Sequence, residues 1–206
     1  MISKLFLQGP SGCGKTSLIL QTLQQAKLAA GGFIVQRLLL PTGVRAYCLT
    51  PTAEVSSPCL PYNPEQAGIF LNITADGAQF SADNFLQQFT VLTQNQPFLI
   101  LDEIGGIELQ LPQVRQRLHE LLCSDSVILG VWKSRTNLEQ MIQRGGLMSD
   151  LLDYHDELET LLTATQDVQL IDHLPSIEEL QGFLAQNSLL PYHQYCRKAI
   201  LGEDGI

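Results

Sequence analysis

Residues 9–16 read GPSGCGKT and match the pattern G-x-x-x-x-G-K-[ST]. The glycines let backbone N–H groups turn inward around an anion, because no Cβ stands in the way. Lys15 offers a positive charge to the outer phosphates of a nucleotide, and the Thr16 hydroxyl is suited to coordinate Mg²⁺. The pattern therefore predicts a phosphate-binding loop (P-loop) with a magnesium nucleotide as its ligand.

The sequence on either side of this loop fits the prediction. A short apolar run at residues 4–8 predicts a buried strand before it, and residues 16–30 have helical apolar spacing after it. The positive end of such a helix adds to the attraction for phosphate. We expect nucleotide contacts from the whole loop and the residue after it: Gly9, Pro10, Ser11, Gly12, Cys13, Gly14, Lys15, Thr16 and Ser17.

Cys13 within the loop has two interpretations. It is a small residue that fits, or it is an acidified thiol, since a helix amino terminus and Lys15 both favour the thiolate.

An acidic pair follows the apolar run FLIL at residues 98–101. Such a strand carries its last residues to the carboxyl edge of a parallel sheet, beside the P-loop. We expect Asp102 to hold Mg²⁺ together with Thr16, and Glu103 to orient or deprotonate an attacking water. Glu108 is a third acid, for which a metal role and a solvated loop position remain equally open.

The remaining pattern predicts an α/β fold of the P-loop NTPase type, with a mostly parallel sheet and helices on both faces. A short turn at residues 41–43 predicts an antiparallel hairpin added to that sheet. Strands are expected at 4–8, 33–40, 45–50, 69–73, 98–101, 127–132 and 168–171. Helices are expected at 16–30, 82–94, 112–123, 138–162 and 177–185. We expect Gly31 and Gly32 to end the first helix and Ser81 to cap the second. The helix at 138–162 is expected in two pieces, broken at 145–146. Residues 50–63 read as a loop. We expect one domain at 1–186, and a tail at 187–206 packed on it.

Composition narrows the class of protein. The 206 residues include 12 basic and 21 acidic ones, a net charge of −9 that argues against a duplex-binding surface. The five cysteines lack C-x-x-C spacing and the four histidines lack ligand spacing, so a zinc site or disulfide framework is not expected. No apolar run is long enough for a signal peptide or a membrane span. We expect a cytoplasmic protein without nucleic-acid or membrane partners; a protein partner stays open.

Three stretches resemble the THEP1-type nucleoside triphosphatases, a small P-loop family. The segment GPSGCGKTSL is similar to the family's G-x-P-G-x-G-K-T-T-L loop, and GGFIVQR at residues 31–37 is similar to its Gly-Gly-Phe strand opening. The segment LDEIGGIEL at residues 101–109 resembles the family's D-E-I-G-K-M-E-L and is the most distinctive of the three. The resemblance covers about residues 1–130 and implies hydrolysis of ATP, GTP and related triphosphates with little base preference.

The chain departs from this family at three places. Gly106 stands where the family usually has lysine, so the role of that lysine is lost or supplied elsewhere. Leu39 stands at the position of a family arginine, whereas Arg37 lies two residues earlier on the same strand face. Residues 172–174 read DHL in place of Asn-Arg.

Three cations follow the strand expected at 127–132: Lys133, Arg135 and Arg144. They form either a solvated helix face or a clamp on the γ-phosphate. The expected catalytic residues are Lys15, Glu103 and an arginine, with Arg135 placed first and Arg37 as the alternative.

The preferred hypothesis is Mg²⁺-dependent hydrolysis of nucleoside triphosphates to diphosphate and phosphate. The first alternative is a nucleotide or small-metabolite kinase, which uses the same loop but passes the phosphoryl group to another acceptor. The second alternative is a nucleotide-dependent switch or adaptor protein with slow turnover.

Overall fold

Nine strands form one sheet in the computed structural model, which describes residues 1–75, 77–94, 96–145 and 150–190. The strands are β1 (Lys4–Leu7), β2 (Gly31–Leu40), β3 (Gly43–Pro51), β4 (Cys59–Pro61), β5 (Ile69–Thr74), β6 (Gly77–Phe80), β7 (Phe98–Ile104), β8 (Val127–Trp132) and β9 (Val168–Ile171). The helices are α1 (Lys15–Ala26), α2 (Ala82–Leu92), α3 (Pro112–Leu122), α4 (Arg135–Gly145), α5 (Asp150–Ala164) and α6 (Ile177–Gln186), with 3₁₀ turns at Thr52–Glu54 and Ile107–Gln110.

The sheet has a parallel part and an antiparallel extension. Its strand order is β6-β5-β3-β2-β7-β8-β1-β9, with β4 beside β2. Strands β2, β7, β8, β1 and β9 are parallel, whereas β3, β5 and β6 continue the sheet in antiparallel pairs. The predicted mostly parallel sheet with an antiparallel hairpin is confirmed. This arrangement places the carboxyl ends of β1 and β7 at one edge, where the P-loop and the acidic pair meet.

Alternate residues of each strand pack on opposite faces of the sheet. Leu5 and Leu7 of β1 join α1 and α6, whereas Phe6 between them joins α2, α3 and α5. Burial of one such side chain stabilises the fold by about 1.5–3 kcal/mol. The prediction of helices on both faces is therefore confirmed.

The first helix ends four residues before the predicted boundary. Lys27 follows the last helical residue, Ala26, and has a φ of 50°. Its N–H donates to the carbonyl oxygens of Leu23 and Gln24 in the last turn of α1. The prediction that Gly31 and Gly32 end the helix is wrong, since both residues belong to the start of β2. Gly32 has a φ of 82°, and a Cβ there would lie 1.9 Å from the carbonyl oxygen of Ile100. The glycine is required for the close pairing of β2 with β7.

Short edge elements account for most of the other differences. The predicted loop at 50–63 contains a 3₁₀ turn and the strand β4, and β6 was not predicted at all. Strand β4 lies in a proline-rich segment and β6 begins with Gly77, and proline and glycine are residues that usually mark loops. Ser81 precedes α2 but its side chain makes no cap hydrogen bond.

The chain after α6 is described only in part. Leu189 and Leu190 pack against the α1 and α6 side of the core. Residues 191–206, most of the predicted tail, and Gly146 of the predicted helix break lie outside the described residues. Within the described ranges, no helix is both long and apolar enough to cross a membrane.

Candidate nucleotide-binding site

The P-loop connects β1 to α1 and is shaped by three glycines. Gly9, Gly12 and Gly14 have φ values of 137°, 81° and 101°, which glycine adopts without strain. The first turn of α1 has neither an acidic residue nor a side-chain cap, so its N–H groups stay available to an anion. The buried Lys15 ammonium donates to the carbonyl oxygens of Gly9 at 3.0 Å and Pro10 at 2.8 Å. The predicted loop therefore has the backbone geometry of an anion-binding loop, with the Lys15 ammonium beside it.

Asp102 lies directly against the P-loop helix. Its carboxylate is fully buried and accepts hydrogen bonds from Thr16 Oγ1, at 3.0 and 3.2 Å, and from the Val35 N–H at 3.1 Å. Burial, followed by the charge of Glu103, raises the pKa of Asp102 to about 7. The two predicted metal ligands are thus brought together, and both present oxygen, the donor atom that Mg²⁺ prefers.

Glu103 is turned away from Asp102 by an irregularity of the strand. Its φ of 55° is uncommon for a residue with a side chain, and the pairing of β7 with β8 shifts between Leu101 and Ile104. Backbone strain of this kind costs about 1–3 kcal/mol and clusters at functional sites. As a result, neighbouring carboxylates face different parts of the cleft.

Lys133, just after β8, is the partner of Glu103. Its Nζ lies 2.6 Å from Glu103 Oε2, and both side chains are largely buried. Burial alone raises the pKa of Glu103, but the charge and hydrogen bond of Lys133 prevail and hold this pKa below its usual value. Lys133 therefore favours the anionic form of Glu103, which is a strong hydrogen-bond acceptor.

The turn after β7 is held by Glu108, which is buried. Glu108 Oε1 accepts from the N–H groups of Gly105 and Gly106 at 2.7 and 2.8 Å, so Glu108 is a structural residue of the turn. A Cβ on Gly106 would lie 2.9 Å from Cε of Lys133. Lys133 thus fills the space beside the position where the THEP1-type sequences usually carry lysine.

The two candidate arginines have different surroundings. Arg37 Nη2 donates to the P-loop hydroxyl of Ser11 at 3.2 Å and lines the cleft. Arg135, the first choice from the sequence, pairs with Glu139 at 3.1 Å and with Asp156, and it is not among the cleft residues. The structure therefore does not bring Arg135 to the site, because its side chain faces acids on α4 and α5. The side chain of Arg144 lies outside the described part of the chain.

Asn137 contributes a contact that the sequence analysis missed. Its Nδ2 donates to the Gly9 carbonyl at 3.0 Å and so fastens α4 to the P-loop. No motif marks this residue, although it follows β8 at the edge where functional residues gather. Cys13 is exposed, with its Sγ 3.5 Å from Lys15 Nζ.

One cavity of about 790 Å³ runs from the P-loop onto the antiparallel extension, and Glu108, Lys133 and Asn137 are among its lining residues, whereas Gly9, Pro10 and Cys13 are not. One end is polar, with Lys15, Thr16, Asp102, Glu103 and Arg37. The other end, formed by the antiparallel extension and α2, is mainly apolar and includes Tyr47, Phe70, Leu71, Ala78 and Phe85. The polar end carries the cations and hydroxyl groups suited to a phosphate group.

The comparisons with known proteins rest on structure. No protein-family model and no curated protein sequence matches the chain. The crystal structure of THEP1 from the hyperthermophile Aquifex aeolicus superposes with a TM-score of 0.56 at 16% identity, over 91% of this chain and 98% of that one. The solution structure of a human cancer-related nucleoside triphosphatase superposes with a TM-score of 0.50 at 18% identity, over 95% and 97% of the two chains. The chain therefore has the P-loop fold of THEP1 and of the human nucleoside triphosphatase, as the resemblance of its motifs implied.

Proposed function

We propose that the protein is a THEP1-type nucleoside triphosphatase that hydrolyses ATP, GTP and related triphosphates with the help of Mg²⁺. The observation that carries this proposal is the convergence of Lys15, Thr16, Asp102 and Glu103 on one cavity. The superposition with a protein named as a nucleoside triphosphatase supports the same reaction.

Lys15 and the P-loop amides are assigned to the phosphates. The Lys15 ammonium now bonds two loop carbonyls, and an arriving triphosphate offers it stronger, charged acceptors. Thr16 Oγ1 and Asp102 present oxygens to the same point and would hold Mg²⁺. When bound, this ion neutralises charge on the outer phosphates.

Glu103 is assigned to the attacking water. Because Lys133 keeps its pKa low, Glu103 is a weak base but a firmly held hydrogen-bond acceptor. We therefore expect it to orient the water toward the γ-phosphorus more than to remove its proton early. Arg37 is the arginine of the cleft and is assigned to the charge on the γ-phosphate.

A panel of ATP, GTP, CTP and UTP tests the proposal by phosphate release, with Mg²⁺ and with excess chelator. The expected result is comparable turnover of all four triphosphates, abolished by the chelator and by Lys15→Ala. Release that persists in Lys15→Ala, or that ignores the chelator, contradicts the proposed site.

The apolar end of the cavity favours one second candidate, phosphoryl transfer to a small acceptor. Thr16 and Asp102 lie at the P-loop, whereas apolar residues of the cavity belong to β3, β5, β6 and α2, so they are separate from the residues assigned to the phosphates. Water alone does not require an apolar lining, whereas an acceptor with an apolar body does. The acceptor hydroxyl oxygen would attack the γ-phosphorus, its proton would pass to Glu103, and the nucleoside diphosphate would leave.

Phosphorus NMR separates transfer from hydrolysis. With ATP and a small aromatic alcohol such as 2-phenylethanol, transfer gives a phosphomonoester signal in place of part of the free phosphate. Ala78→Trp fills the apolar end and should abolish the ester while phosphate release continues. ADP and free phosphate without a phosphomonoester signal support hydrolysis.

A further inference from the structure

A second group of polar side chains lies on α5, outside the nucleotide cavity. His155, Asp156 and Glu159 each direct one ligand atom to the same place, and these three atoms lie within 4.8 Å of one another. Acidic groups often cluster at a protein surface without binding a ligand. The hydrogen bonds of the three residues therefore decide whether this group is a candidate binding site.

The bonding of His155 leaves one ring nitrogen without a partner. The side chain is fully buried, and its Nε2 lies 2.7 Å from the carbonyl oxygen of Lys133. A carbonyl only accepts, so Nε2 carries the hydrogen and donates it. Nδ1 is buried and makes no hydrogen bond within the described residues, while oxygens of Glu159 and Asp156 lie 3.4 and 3.6 Å from it. A ring nitrogen is therefore held facing two carboxylates.

Each carboxylate uses its other oxygen elsewhere. Glu159 Oε1 accepts from Gln8 Nε2 at 3.0 Å, which leaves Oε2 toward His155. Asp156 Oδ2 pairs with Arg135, which leaves Oδ1 toward His155. Such outer partners, including the histidine N–H on a backbone carbonyl, are those that orient the ligands of protein metal sites.

We propose that His155 Nδ1, Asp156 and Glu159 form a binding site for a first-row divalent cation of the Mn²⁺ type. The Nδ1 atom of His155 and one oxygen of each carboxylate converge there as electron-pair donors. A cation between these three atoms removes the repulsion among them. One imidazole with two carboxylates combines the ligand types preferred by Mn²⁺, Fe²⁺ and Zn²⁺. The carboxylate side chains are 46% and 27% exposed, so an ion and its remaining waters can enter from the surface.

The site connects to the nucleotide cavity on two sides. Gln8, which holds Glu159, directly precedes the first glycine of the P-loop. Lys133, whose carbonyl holds His155, pairs through its ammonium with Glu103. A bound ion would therefore connect α5 to the ends of β1 and β8, beside the nucleotide cavity.

Titration with Mn²⁺, followed by electron paramagnetic resonance, tests the site in nucleotide-free protein. Asp102→Asn serves as the parent, because this change removes the ion site proposed for the nucleotide. We expect one Mn²⁺ per chain, with affinity lowered more than about tenfold in His155→Gln and in Glu159→Gln. His173→Gln, which changes an exposed histidine beside Asp172, is the matched control and should bind like the parent.

Spin-echo spectra of the bound Mn²⁺ give a second measurement. A ¹⁴N coupling in the parent that disappears in His155→Gln supports imidazole coordination. Since His155 is buried, Glu159→Gln and the coupling decide the outcome if His155→Gln does not fold. Unchanged affinity in Glu159→Gln, or no ¹⁴N coupling, overturns the proposal. Absence of binding to the parent also overturns it.

Discussion

The Thr16 hydroxyl donates to Asp102 Oδ1 at 3.0 Å, although 86 residues separate the two along the chain. This bond joins the first turn of α1 to the end of β7, the two elements whose motifs predicted a nucleotide site. The carboxylate is fully buried and its pKa is raised to about 7, so burial disfavours its charged form and a nearby cation would favour it. The relationship fixes where an ion is expected and how pH should affect it.

The first prediction concerns pH and Mg²⁺. Mg²⁺ binds the ionised carboxylate, so the apparent Mg²⁺ affinity in the presence of nucleotide should rise between about pH 6 and pH 8. Asp102→Asn should bind Mg²⁺ more weakly and lose this pH dependence. Titrations of Mg²⁺ against phosphate release at several pH values measure both effects. Equal pH dependence in the variant argues against Asp102 as the titrating ligand.

The same group should affect stability in metal-free protein. An unfolded aspartate loses its proton near pH 4, whereas folded Asp102 keeps it up to about pH 7. The folded state then binds the extra proton, so the contribution of Asp102 to stability falls as pH rises from about 4 to 7. Urea unfolding of the protein and of Asp102→Asn should differ in slope over this range. Parallel stability profiles of the two proteins contradict the shifted pKa.

Lys15→Ala should remove both binding and turnover. The ammonium is the cation of the P-loop, and the loss of one such group from a preorganised site lowers turnover by about 10²–10³-fold. Lys27→Asn is a matched control, because it removes a lysine at the opposite end of α1, and asparagine tolerates its left-handed backbone. Nucleotide affinity and phosphate release are the measurements.

Glu103→Gln should separate binding from turnover. The amide keeps the shape of the side chain but removes the charged acceptor that positions water. We expect Mg²⁺-triphosphate affinity to be retained and single-turnover hydrolysis to fall by about 10²-fold or more. Hydrolysis at the wild-type rate assigns water activation to another group and strengthens the acceptor or switch hypothesis.

The two arginines should respond differently to removal. Arg37 touches the P-loop at Ser11, whereas Arg135 is paired with acids outside the cleft. Arg37→Ala should lower turnover, up to about 10³-fold for an arginine that stabilises the transferring phosphoryl group. Arg135→Ala, with the same loss of charge, should stay near the wild-type rate. A large defect in Arg135→Ala alone reverses this assignment.

We expect a lysine at position 106 to take over the role of Lys133 as the cation that pairs with Glu103. Lys133→Ala frees Glu103 and should lower turnover about 10- to 100-fold, as loss of a positioning partner does. Gly106→Lys in the same background should restore part of the rate, because its side chain enters the space that Lys133 vacates. Gly106→Met in that background adds bulk without charge and should not restore it. Equal rates in the lysine and methionine variants contradict a role for the charge.

Local sequence was sufficient for the fold class and for the central site. The loop motif predicted a tight turn at positions 9, 12 and 14, where the glycines have positive φ values, and the apolar run before Asp102 predicted a buried strand. Because parallel strands end at one edge, the meeting of Thr16 with Asp102 followed from the order of the elements. The end of α1 did not follow, because it is set by the left-handed conformation of Lys27 and not by the later glycines. Strands β4 and β6 did not follow either, since proline and glycine in and around them are typical of loops.

The sequence by itself thus determined the P-loop, the buried acid and the layered sheet, since each depends on residue types at fixed short spacings. Only the tertiary structure decided which cationic side chains lie beside the P-loop and the acids. Arg37 and Arg135 are chemically identical, but Arg37 on β2 reaches Ser11 of the P-loop, whereas Arg135 on α4 pairs with acids of α4 and α5. The bonds of Lys133 to Glu103 and of Asn137 to Gly9 likewise join residues far apart in the chain. Such pairings depend on side-chain direction in three dimensions, which no spacing along the chain specifies.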